Sequence, residues 1–193
     1  MRLVESHVAQ RVGADTVIHG DRALMASRLA PANDDDFYAT PPWATRALME
    51  CVWPEIGGPD RSGICWEPAC GEGHMSQVLK EYFGGVLSSD IADRGFGTGG
   101  IDFLGDKARP VGPVDWVVTN PPFADAGTQK FVLRALQIAR SGVAVFTRLQ
   151  WLESAGRYEA IFKDNPPTLI TFFAERVPLH KGTWKPKGAT ATA

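Results

Sequence analysis

Ile64-Cys65-Trp66-Glu67-Pro68-Ala69-Cys70-Gly71-Glu72-Gly73-His74-Met75 is the stretch whose reading decides the fold. Ile64, Cys65 and Trp66 make a short apolar run of strand character, and Glu67 ends it. Pro68 and the two glycines break the chain direction, and a helical segment follows from Met75 to Phe83. Strand, tight turn and helix in that order are the opening unit of an α/β sheet.

The same alternation continues downstream. Residues 86–91 (VLSSDI) read as a second strand, and a glycine-rich loop at 95–100 leads to a brief third strand near 101–103. Residues 115–119 (DWVVT) form a fourth strand and run directly into Asn120-Pro121-Pro122-Phe123. Residues 128–140 carry apolar side chains at helical spacing, 143–147 (VAVFT) form a fifth strand, 151–162 a helix and 168–173 (TLITFF) a sixth strand. Strands separated by helix-length segments predict a doubly wound, mainly parallel sheet with right-handed crossovers. In such sheets ligands bind beyond the carboxyl ends of the strands, where the loops 67–73 and 120–123 fall. Upstream, Pro41-Pro42 opens a helical stretch that Pro54 and Gly57-Gly58-Pro59 end. The domain organisation expected is an N-terminal arm or peripheral element at 1–33, with a short helix at 21–29, a catalytic domain at 34–180 and a basic, flexible tail at 181–193.

Composition sets the outer bounds. The chain has 193 residues, 44% of them hydrophobic and 22% charged, which suits one globular domain with a real core. A net charge of −2 excludes a generally basic coat protein for nucleic acid but leaves room for a local basic groove. Cys51, Cys65 and Cys70 do not form a disulfide framework and read as reduced thiols of a cytoplasmic protein. Neither a membrane-length apolar run nor a signal-peptide core is present, so no membrane partner is expected. Histidines at 7, 19, 74 and 180 are too dispersed for a zinc site, and no metal is expected.

The two loops carry the chemistry. Gly71 and Gly73 let the backbone approach a ligand closely, although a Gly-x-Gly after a strand also serves as an ordinary turn. Position 76 is serine, so the full dinucleotide fingerprint is absent, and there is no Gly-Lys-Ser/Thr of a P-loop. A nucleoside without phosphates fits better. Asp90, 23 residues after Glu67, is placed to accept ribose hydroxyls, and Asp102 with Phe103 to meet the amine and face of an adenine. In the second loop, two prolines remove N–H donors and leave carbonyls. Asn120 adds an amide oxygen and Phe123 a flat face. Acceptors beside an aromatic suit an exocyclic amine on a planar base, whose lone pair is otherwise delocalised into the ring. A proline-terminated strand with a plain turn has the same residues.

Together, FYATPPW (37–43), EPACGEGHMS (67–76) and NPPF (120–123) resemble the class I S-adenosylmethionine-dependent methyltransferases, and more narrowly the phage-type DNA adenine-N6 methyltransferases. The resemblance implies the Rossmann-like fold of that class, S-adenosyl-L-methionine as cofactor and DNA as substrate. It implies that Phe37, Thr40 and Pro41 line the methionine and adenine side of the cofactor, and that Glu67, Ala69, Gly71 and Gly73 hold the methionine part. Asp90 and Ile91 would take ribose and adenine edge, with Asp102 and Phe103 at the adenine and Asn120 touching both cofactor and target. Asn120 and the Pro121 carbonyl would bind the target amine, Pro122 would stiffen the loop and Phe123 would stack on the flipped base. Close variants of NPPF also occur in RNA-base and protein-glutamine methyltransferases, and an inactive cofactor-binding remnant is a further reading. The family continues past a stretch like GATATA (188–193) into a last antiparallel strand, so a sheet without that strand is expected here. Arg148 suits either a phosphate or a surface ion pair. The run from 176 to 187, with Arg176, Lys181, Lys185 and Lys187 and no acid, suits nucleic acid or a solvated tail.

Overall fold

The computed structural model describes residues 36–58, 61–105, 108, 110, 112–123 and 127–182. The expected arm at 1–33, its helix and nearly all of the basic tail lie outside these residues. Among the described residues four strands form one parallel sheet: β1 (Ile64–Glu67), β2 (Gly85–Ser88), β3 (Val114–Thr119) and β4 (Ala139–Val145), ordered β2-β1-β3-β4. Cys65 lies opposite Val86 on one side and Trp116 on the other, which fixes the register of the central pair.

Period-two alternation, interrupted on β3 by a register shift between Val114 and Trp116, decides which side chains go to which face. Cys65 and Val118 join Met49, Trp53, Met75, Leu79 and Phe83 on one side. Trp66, Val114 and Val117 join Phe103, Ala108, Phe131 and Ala135 on the other. The first layer comes from α1 (Pro42–Ala47), which continues as a wide helical turn at Leu48–Val52 and a tight one at Trp53–Ile56, and from α2 (His74–Leu79). The second comes from α3 (Gly127–Ile138) and the segment around Phe103. Both faces are therefore covered, and the doubly wound α/β reading holds. Pro42 starts α1 where its missing N–H costs nothing, and Gly57, at φ +86°, ends the helical stretch. At the amino edge of the sheet Asp115 accepts the Ile64 N–H at 2.7 Å and pairs with Arg140 at 2.6 Å, tying three strands together. These partners, the Ile64 N–H first, hold its carboxyl below the usual range.

Several expected elements differ. The third strand near 101–103 is a turn. Asp102 Oδ1 accepts the Leu104 N–H at 3.0 Å, which closes the backbone on itself, while the Phe103 ring is drawn into the core. The second strand ends at Ser88, and Ser89 makes only an isolated bridge to Thr98. β4 starts at Ala139, directly after α3, because Arg140 is held by Asp115 and Gly142 admits the Trp116 ring. A Cβ at 142 would lie 2.3 Å from that ring. The helix expected at 151–162 is three short turns: Leu149–Leu152, α4 (Ala155–Arg157) and Tyr158–Phe162. Residues 168–173 form no strand, and Ile170 and Phe172 are exposed.

Candidate functional site

The strand order reverses between β1 and β3: the chain leaves β1 toward β2 and later returns to β1's other side as β3. A crevice opens at such a point because the loops from the two strands diverge. Glu67 is the last residue of β1, and Asn120 follows the last residue of β3, so both sequence-derived loops flank this point.

On the β1 side the carboxyl groups are buried. Glu67 is 2% exposed and accepts the Ser76 hydroxyl, while the Ser76 and Ser88 hydroxyls lie 2.6 Å apart. Burial pushes the Glu67 carboxyl up to about 8, with a smaller push from Asp90 in the same direction. Asp90 is 8% exposed. One oxygen accepts the Gly71 N–H at 2.8 Å and the other the Ala92 N–H at 2.9 Å, leaving one lone pair open on each. This bond ties the glycine turn to the end of β2. The Cys70 thiol is pushed up to about 12 by burial and by the neighbouring carboxylates, so it stays protonated and is no nucleophile.

Gly71 and Gly73 have φ of +52° and +84°, and aromatic rings lie against both. A Cβ at 71 would stand 2.2 Å from the Phe37 ring, and one at 73 would stand 2.4 Å from the Phe96 ring. The Arg94 guanidinium covers the Phe37 ring at 4.2 Å. Ile91, beside Asp90, is 67% exposed. Asp102 is exposed, whereas Phe103 is fully buried, edge-on to Trp66 at 5.1 Å and tilted against Phe131 at 4.9 Å.

On the β3 side Asn120 is oriented by a distant segment. Its Nδ2 donates to the Tyr38 carbonyl and to Thr40 Oγ1, both at 3.0 Å. The reversed amide would set its oxygen against the Tyr38 carbonyl, which fixes the assignment. Asn120 Oδ1 is buried and has no hydrogen-bond partner. Thr40 and Pro41 are themselves buried. The Phe123 N–H donates to Asp36, Thr128 Oγ1 donates to the Pro122 carbonyl at 3.0 Å, and the Phe123 ring tilts against Tyr38 at 5.8 Å. The structure thus brings together the segments 36–41, 67–73 and 120–123.

Sequence reading passed over Asp36, Tyr38, Arg94 and Phe96. The last had a local signal, a lone aromatic in a run of glycines, GFGTGG at 95–100. The others act through long-range contacts that have none. Among the described residues no group of three His, Cys, Asp or Glu side chains is placed to hold a metal, and no helix is long and apolar enough to cross a membrane.

No protein-family model matches the chain. No curated protein matches it. Among solved structures, the chain is similar to a protein from Pyrococcus horikoshii provisionally described as an RNA methyltransferase. The TM-score is 0.46 with 19% identity, covering 67% of this chain and 75% of that one.

Proposed function

We propose that the protein is an S-adenosylmethionine-dependent methyltransferase acting on the exocyclic N6 amine of adenine in DNA. The observation that carries this reading is the buried, unpartnered Oδ1 of Asn120, fixed by Tyr38 and Thr40 three residues before Phe123. A buried acceptor without a donor is costly. An amino group arriving beside Phe123 supplies that donor.

The β1 side fits the cofactor by its donor set. Asp90 has an open lone pair on each oxygen for the ribose hydroxyls, and exposed Ile91 offers apolar cover for an adenine. Phe37, Ala69 and the Gly71 and Gly73 backbone would line the methionine part. Glu67, a buried carboxyl with no cation among its hydrogen-bond partners, suits a positively charged group nearby. When bound, the cofactor supplies an electrophilic methyl group. The rest is done by this chain's residues. Asn120 Oδ1 accepts one amine hydrogen, with the Pro121 carbonyl as the proposed second acceptor, and so frees the nitrogen lone pair from the ring. As positive charge develops on that nitrogen, the fixed amide dipole stabilises it without reorganising. Phe123 keeps the base flat.

The test is methyl transfer from labelled cofactor to unmethylated DNA, to RNA and to glutamine-bearing protein, with the product identified by mass spectrometry. N6-methyladenine in DNA is expected. Transfer to RNA or to protein glutamine alone moves the substrate to those classes, and cofactor binding with no transfer to any of the three makes the chain an inactive binding protein.

A further inference from the structure

A second feature adjoins Phe123. A cavity of about 190 Å³ is lined by Phe123, Thr128, Thr147, Arg148, Gln150, Trp151 and Arg157. It lies below the roughly 300 Å³ at which pockets begin to hold whole ligands, so it suits one group of a larger substrate. Its charged lining is two guanidiniums, and among the described residues no carboxylate lines it.

The cavity is built, not incidental. Arg157 is anchored by donating to the carbonyls of Glu153 at 2.9 Å and Gln150 at 3.5 Å, with its guanidinium 5.6 Å from the Trp151 ring. These bonds use Nη2, while Nε is buried and has no partner. Thr147 Oγ1 is likewise buried and unpartnered. Arg148 is exposed, and its guanidinium lies 4.8 Å from the Phe123 ring centre. Two permanent positive charges thus line one small space, and two of its lining side chains, Arg157 and Thr147, each carry a buried hydrogen-bonding atom without a partner. Arginine and hydroxyl donors in that arrangement recognise an oxyanion.

Phe123 belongs to both places, the platform beside Asn120 and the wall of this cavity. An anion seated here is therefore separated from whatever stands at Asn120 by little more than the Phe123 ring. We infer that the cavity is a phosphate subsite, where Arg148, Arg157 and Thr147 hold one phosphodiester of the strand whose base stands on Phe123. This rests on reading the Asn120 loop as an amino-methylating site. It favours nucleic acid over a protein glutamine, because a glutamine side chain carries no obligatory anion.

The test is binding of the whole protein to a fluorescent DNA duplex over a range of salt, followed by anisotropy, with methyl transfer measured in parallel. Each phosphate contact contributes about 0.9 to the slope of log affinity against log salt. Arg148→Gln, an exposed substitution that spares the fold, is expected to lower that slope by about 0.9, and Arg148→Lys to restore it. Thr147→Val is expected to weaken binding with no change in slope. An unchanged slope in Arg148→Gln overturns the subsite, and so does preferential binding of an acidic glutamine-bearing peptide over the duplex. If the slopes change as expected but no methyl group is transferred, the subsite stands and the methylation reading fails.

Discussion

Asn120 depends on residues outside its own loop. Its amide partners, Tyr38 and Thr40, are 82 and 80 positions away in the chain. Asn120→Ala is expected to leave cofactor binding within a fewfold of normal by calorimetry. It should lower single-turnover methyl transfer by about 10²–10³, the usual loss when a preorganised hydrogen bond to developing charge is removed. Transfer at the normal rate would sink the assignment. Glu67 makes a different prediction. Its carboxyl is held at about 8 in the folded protein, well above the 4.5 of a free side chain. The folded state therefore keeps a proton that the unfolded chain has lost. Its contribution to stability is complete below the unfolded value and fades as pH rises toward 8, by about 1.4 kcal/mol per pH unit at most. Glu67→Gln is expected to flatten that dependence in urea titrations from acid to alkaline pH. An equally steep slope in the variant would show that other groups carry it. At this scale the position of the loop 120–123 at the end of a strand was legible, because strand, prolines and aromatic are adjacent in sequence. The orphaned oxygen was not, since it exists only once the segment 36–41 folds over it.

The glycine turn is the element on which the cofactor reading rests, and two separate constraints hold it. Gly71 occupies the left-handed region, where a side chain costs roughly 1–2 kcal/mol, and the Phe37 ring fills the space a Cβ would need. Gly71→Ala is expected to destabilise the protein by about that amount plus the cost of moving the ring, and to weaken cofactor binding. Adding Phe37→Ala should remove the second part but not the first, so a double-mutant cycle separates strain from crowding. Strictly additive effects would mean that the ring moves freely. The helical stretch 42–56 is anchored by Trp53, 1% exposed and edge-on to Phe83 at 5.7 Å. Trp53→Ala is expected to cost about 3–5 kcal/mol in denaturant unfolding. Elements were legible where burial on both faces forces an apolar run, as in β1 and β3. They were misread where a side chain outcompeted the ladder. Asp102 turns its own backbone at 102–105, and an alternating pattern such as Ile101-Asp102-Phe103 cannot reveal that. Residues 168–173 have the composition of a strand, but composition supplies no neighbour to pair with.

Across the whole molecule, stability is layered around the point where the strand order reverses. β1 and β3 have strands on both sides and side chains packed on both faces, whereas β2 and β4 each pair on one side among the described residues. Opening the centre must therefore break both core clusters, while opening an edge strand removes only partly buried side chains from their rims, such as Val86 on β2 and Val143 on β4. Hydrogen exchange followed by mass spectrometry is expected to show the slowest amides in 64–67 and 114–119. The fastest described ones should lie in 167–173, which is exposed throughout and has no strand partner. The glycine-rich loop at 92–100 is intermediate. It is tied to the sheet by the Thr98 N–H on the Ser88 carbonyl at 2.9 Å and by the Asp90 N–H on the Thr98 carbonyl at 3.1 Å. The Phe96 ring meanwhile leans on Gly73. A ligand at the turn must engage this loop, because Phe96, Arg94 and Asp90 all meet the turn or its neighbours. S-adenosylhomocysteine, which has no methyl group to transfer, is therefore expected to slow exchange in 68–73, 90–100 and 36–41. It should leave 167–173 as fast as before. Protection confined to the 167–173 segment, or none at all under saturating ligand, would put the cofactor elsewhere and remove the turn from the site. Protection at 68–73 without any at 36–41 would keep the cofactor but break the link, through Phe37 and Thr40, by which it reaches Asn120.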